Sequence, residues 1–119
     1  MTTWNESMRV KWAGPVSEGT LLPEDLLPKF IFALEDLRDD LSKRPDWSQV
    51  KRDQVTYSIE QCLDRIHEER MTLGEDFWKS DNASWAMEET YGLLSSYAPD
   101  GLTFGSHEGD GACIGFWRE

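Results

Sequence analysis

Cysteine is scarce in this chain. Cys62 and Cys113 stand far apart and in no CxxC spacing, which excludes a disulfide framework and fits a reducing compartment. Long apolar runs are also missing. The longest, around Phe30-Ile31-Phe32-Ala33-Leu34, falls far short of the ~20 residues that span a bilayer. The stretch from Met1 to Met8 has no basic segment leading into an apolar one, so no targeting signal is read and the expected compartment is the cytoplasm. Internal repeats, low-complexity segments and dividing linkers are absent, and 119 residues fit one domain, 1–119. Basic residues are few: 12 Lys and Arg stand against 23 Asp and Glu, a net charge of −11. Most of such a surface repels nucleic acid and anionic membranes, so neither is an expected partner.

Aromatic residues are plentiful. Six Trp, five Phe and three Tyr supply large buried areas, and Trp is enriched among the residues that dominate protein interfaces. With 39% hydrophobic and 29% charged residues, the chain has the composition of a folded globule rather than a disordered one.

The apolar pattern predicts an α+β fold: about three helices packed on a small antiparallel sheet. Residues 8–13 alternate apolar and charged, the period of a half-buried strand that Gly14-Pro15 would end. Leu27, Ile31, Leu34, Leu37 and Leu41 recur at helical spacing. Pro23 and Pro28 place the regular part of that helix after Pro28. Asp46, with Gln49 three residues on, has the spacing of a capping box. It opens a second helix that buries Val55, Ile59, Cys62, Leu63 and Ile66, breaks or bends near Arg52, and stops at Gly74. Residues 76–80 read as a loop or short turn. A third helix runs from Ala83 to Tyr97 with Ala83, Met87, Tyr91 and Leu94 on one face. Beyond Pro99-Asp100-Gly101, two strand-like runs flank Glu108-Gly109-Asp110-Gly111 and predict a hairpin in which Leu102 faces Trp117, Phe104 faces Gly115 and Gly105 faces Ile114. An N-terminal strand over 8–13 then completes the sheet.

Two constellations bear on function. Glu35, Asp36, Asp39 and Asp40 form an acidic ridge on the first of these helices, with Glu60, Asp64, Glu68 and Glu69 repeating the pattern on the next. Like charges four residues apart cost a helix some stability. Such a ridge is either a solvated face or a surface that imitates a phosphate backbone toward a basic groove. Lys43, Arg44, Lys51 and Arg52 form a small counter-patch. The second constellation is His107, Asp110 and Cys113 beside three glycines, residue types that ligate metals or act as nucleophiles. The predicted register puts His107 opposite Ala112 and turns His107 and Cys113 to opposite faces. No HExxH, zinc-type Cys/His spacing or Walker loop is present, so no catalytic residue, metal or cofactor is assigned.

The C-terminal segment resembles a group of small uncharacterised proteins encoded by bacteriophages and other mobile elements. The likeness rests on Ala98-Pro99-Asp100-Gly101, on Phe104-Gly105-Ser106-His107-Glu108-Gly109-Asp110-Gly111 and on Gly115-Phe116-Trp117, about the last fifth of the chain. It implies a phage or plasmid context, where small acidic proteins often bind a host protein, including restriction and CRISPR machinery.

Three readings follow. The first is a non-catalytic interaction module, an inhibitor or modulator of a nucleic-acid-handling or defence protein. It would bind a basic partner through Glu35, Asp36, Asp39, Asp40 and one of the tryptophans off the apolar stripes, Trp47, Trp78 or Trp85. The second is a small enzyme or ligand-binding domain with His107 as acid/base and Asp110 as its partner. The third is a structural homodimer formed through a free sheet edge or through Phe32, which lies off its helix's apolar stripe.

Overall fold

The computed structural model describes residues 3–119. Among the described residues, four α-helices pack on one three-stranded antiparallel sheet, an α+β arrangement. The helices are α1 (Trp4–Trp12), α2 (Pro23–Leu41), α3 (Gln49–Leu73) and α4 (Asp81–Ser96), with a 3-10 turn over Gly74–Lys79 between the last two. The strands are β1 (Gly14–Ser17), β2 (Leu102–His107) and β3 (Asp110–Arg118), in spatial order β1-β3-β2.

The segment expected to be the first strand is a helix instead. Residues 8–13 alternate at period two, but Trp4, Met8 and Trp12 also recur at period four, and the structure follows the longer period. Thr3 caps α1, its hydroxyl accepting from the Glu6 N–H at 3.1 Å, the N-terminal half of a capping box. Trp12 is buried, Met8 half-buried and Val10 exposed, as one helix face requires. The strand begins where that segment was expected to end. Gly14, at φ +129°, turns the chain, and β1 lies antiparallel to β3 with Pro15 opposite Gly115. Gly115 is obligatory there: a Cβ on it would overlap the Gly14 carbonyl oxygen.

α2 also starts earlier than predicted, at Pro23, and carries Pro28 within it. Pro28 removes only the bond to the Glu24 carbonyl, which lies on an exposed residue where water can replace it. Its buried face is Leu26, Leu27, Phe30, Ala33, Leu34, Leu37 and Leu41. α3 is one unbroken helix capped by Ser48, which accepts from Lys51 N–H at 3.1 Å. The predicted cap, Asp46, pairs with Arg44 instead. Val55, Ile59, Cys62 and Ile66 are buried, and Gly74 at φ +61° ends the helix.

The hairpin forms with its register shifted by one residue from expectation. Phe104 faces Phe116, Gly105 faces Gly115 and Leu102 faces Arg118. The turn is Glu108-Gly109, His107 pairs with Asp110, and an irregularity next to Ser106 absorbs the extra residues of β3. Aromatic packing explains the choice. Phe104 and Phe116 now share the inner face, with ring centroids 4.8 Å apart, and close onto Phe30 at 5.7 Å, Tyr91 at 5.0 Å and Trp12 at 5.4 Å. This cluster joins the sheet to α1, α2 and α4. Each aromatic pair adds about 0.5–1.5 kcal/mol beyond the area it buries. Among the described residues, no helix is long and apolar enough to cross a membrane.

Candidate functional site

The hairpin tip does not assemble a reactive pair. His107 Nδ1 accepts from the Gly109 N–H at 3.0 Å, and Asp110 Oδ1 accepts from the Ala112 N–H at 3.0 Å. Each side chain thus uses one of its polar atoms to hold the turn's backbone, and the two are not bonded to each other. His107 packs edge-on against Trp117, at 4.9 Å, and the Trp117 indole N–H donates to the Gly105 carbonyl at 2.9 Å. Cys113 is buried, its Sγ 3.9 Å from Glu18. Burial first, then the charges of Glu18 and Asp110, push its thiol pKa up. On α3, burial and then the Glu89 carboxylate push Cys62 up to about 12. A thiol must ionise to attack or to bind a metal, so neither is activated. Among the described residues, no group of three or more His, Cys, Asp or Glu side chains converges on one point.

The two arginines of the basic patch turn inward, while Lys43 and Lys51 stay exposed. Arg44 is 6% exposed, its guanidinium 5.0 Å from the Trp4 ring and 4.5 Å from the Trp47 ring. It donates to Asp46 at 2.7 and 3.2 Å and to Asp100 at 2.9 Å. The hydrogen bonds to Asp46 outweigh burial and hold the Arg44 pKa above its ordinary value, while Asp46 is held below its own. Arg52 closes the loop through the carbonyls of Arg44 and Trp47, at 2.6 and 2.8 Å, and Lys51 lies 4.7 Å from the Trp47 ring. Two tryptophans, two carboxylates and two guanidiniums are therefore engaged within the molecule. Trp47, a predicted contact residue, is part of this cage.

The acidic ridge of α2 divides in two. Asp40 accepts from Lys11 Nζ and from the Trp12 indole N–H, both at 2.8 Å, and Asp36 accepts from Lys11 at 3.0 Å. Those bonds tie α1 to α2. Burial alone would lower the Lys11 pKa, but its hydrogen bonds to Asp40 and Asp36 outweigh it and raise the value. Glu35 and Asp39 face outward, the latter with a loose contact to Arg38 at 3.4 Å.

Between these carboxylates stands Phe32, 75% exposed, on the side of α2 opposite its buried face. It lines a shallow groove of about 560 Å³ with Val16 of β1, Glu35, Asp36 and Asp39, while Lys29 and Arg38 flank it. The sequence reading takes Phe32 only as an off-stripe residue; its place beside Glu35, Asp36 and Asp39 follows from spacings of three, four and seven residues, a signal the sequence already carries.

The other two predicted tryptophans differ. Trp85 is 74% exposed on α4, opposite the buried Ala83, Ala86, Thr90 and Leu94. Trp78 is half-buried, edge-on to Phe77 at 5.2 Å and 4.7 Å from the Arg70 guanidinium. It is shared by three clefts. The widest, about 660 Å³, is bounded by Glu24, Asp25 and Pro28 of α2 and by Glu75, Asp76 and Lys79 of the 3-10 turn. Leu22 lines the second and Met71 the third; they are 55% and 74% exposed.

No family model, no curated protein and no solved structure matches this chain.

Proposed function

We propose that this protein is a non-catalytic, acidic interaction module that binds a basic protein through the outward face of α2. One observation carries the reading: an exposed phenyl ring at Phe32 surrounded by Glu35, Asp36 and Asp39 on a rigid helix. An exposed apolar ring in a charged rim is the anatomy of a contact patch. The net charge of −11 selects a cationic partner and steers its approach. Carboxylates one helical turn apart favour a groove built for phosphates, so an inhibitor or modulator of a nucleic-acid-handling or defence protein is the role this reading favours. The phage or plasmid context implied by the C-terminal segment agrees with that role.

The test is affinity capture from a lysate of the source cells, with wild type beside a Phe32→Ser/Asp39→Lys variant. The expected result is a basic protein retained by wild type at about 50 mM salt, released by about 500 mM, and missing from the variant lane. Equal retention by the variant would move the contact off α2. Retention of acidic or membrane proteins alone would refute the reading.

A further inference from the structure

The outward face of α2 continues past Phe32. Asp25, Pro28, Phe32, Glu35 and Asp39 follow at spacings of three and four, so they form one stripe along the helix. Over these positions it runs about 21 Å. Its N-terminal end opens into the cleft under Trp78, its middle is Phe32, and Val16 of β1 walls the groove beside Phe32. Two apolar anchors thus lie on one track. The carboxylates along it are Glu24, Asp25, Glu35, Asp36, Asp39 and, from the 3-10 turn, Glu75 and Asp76; they outnumber Lys29, Arg38, Lys79 and the Arg70 that lies against Trp78, even with Lys11 bound to Asp36.

We infer that this track binds a cationic amphipathic helix, whose Lys and Arg side chains meet the carboxylates and whose two apolar residues seat at Phe32 and in the Trp78 clefts. The inference rests on the proposed function and names the partner element. A helix of about 14 residues has the length of the track. Residues spaced three and four apart on it would enter the grooves between the side-chain ridges of α2. Charge complementarity fixes the occupant as cationic, and the pair of anchors fixes it as amphipathic.

The probe is an 18-residue peptide of Lys, Leu and Ala in heptads, free of aromatic residues, beside a scrambled peptide of the same composition. Binding is followed by amide and indole N–H shifts of the nitrogen-15-labelled protein and by the circular dichroism of the peptide. The expected result is saturable binding that shifts the Trp78 indole and the amides around Phe32 together, with the peptide gaining helix. Phe32→Ser and Asp76→Lys, both at exposed positions, should each weaken it roughly five- to tenfold. Shifts confined to the Phe32 groove, with the Trp78 indole unmoved and Asp76→Lys without effect, would overturn the track and leave the α2 reading standing. Equal binding of the scrambled peptide would overturn the helical partner. Shifts spread over the whole surface without saturation would overturn both readings.

Discussion

The Arg44 cage and the outer face of α2 use the same ingredients to opposite ends. Each combines aromatic rings with carboxylates. In the cage, Trp4 and Trp47 cover a buried guanidinium that Asp46 and Asp100 neutralise, while the two carboxylates keep their outer sides in solvent. On α2 the carboxylates around Phe32 are only partly met: Asp36 shares Lys11 with Asp40, Asp39 has the loose 3.4 Å contact with Arg38, and Glu35 has no ion pair among the described residues. The cage welds α1, the α2–α3 connection and the turn after α4 into one body. The α2 face contributes little to that body. Acidity and aromatic content alone do not locate a contact surface; what does is whether the chain has already supplied the cation.

The strongest test of this contrast is Arg44→Ala. It removes two ring contacts and a buried side chain, while the two carboxylates it leaves are more than half exposed, and it should cost about 2 kcal/mol. Urea unfolding, with the slope unchanged, would measure it. Asp40→Asn comes next. It weakens the acceptor shared by Lys11 and Trp12 and should cost about 1–2 kcal/mol.

Alkaline pH gives a third test. Cys62 has a thiol pKa of about 12 in the folded chain against an ordinary 9.0, so the unfolded state loses its proton first. The stabilisation is complete below pH 9 and declines as pH rises toward 12, with about 1 kcal/mol lost near pH ~10. The raised Lys11 pKa acts in the same direction at higher pH still, since its ion pair persists until that amine deprotonates. A Cys62→Ala variant compared with wild type across pH 8–11 should show a shallower decline. Phe32→Ser is the smallest effect: stability within about 0.5 kcal/mol of wild type, while partner binding falls. A large stability loss there would mean that Phe32 belongs to the fold.

The helical part of the fold was legible because long amphipathic segments bury one face. Leu27, Leu34, Leu37 and Leu41 on α2 and Val55, Ile59, Cys62 and Ile66 on α3 are buried as their spacing requires. The failures lie where two periods coincide or one residue decides. Met8, Val10 and Trp12 fit a strand, but Trp4, Met8 and Trp12 fit a helix, and the Thr3 cap with Glu6 settles it. In the hairpin, a one-residue slip exchanges faces, and the register is set by the packing of Phe104 on Phe116 with Phe30 and Trp12, contacts distant in sequence. The site was half legible. Glu35 and Asp39 were visible as an acidic ridge, but only the structure shows that Asp36 and Asp40 are tied to Lys11, that Trp47 is caged, and that His107 and Asp110 hold a turn. Trp78 could be named as off-stripe, but not as the meeting point of three clefts.

The most direct test of the claim that α2's outer face is the contact surface is hydroxyl-radical footprinting of the protein free and in complex with its captured partner. Phe32 should lose most of its oxidation in the complex while Trp47, already caged, and Trp85, on another helix, stay unchanged. Protection of Trp85 or of the His107 turn, with Phe32 oxidised as in the free protein, would contradict the account.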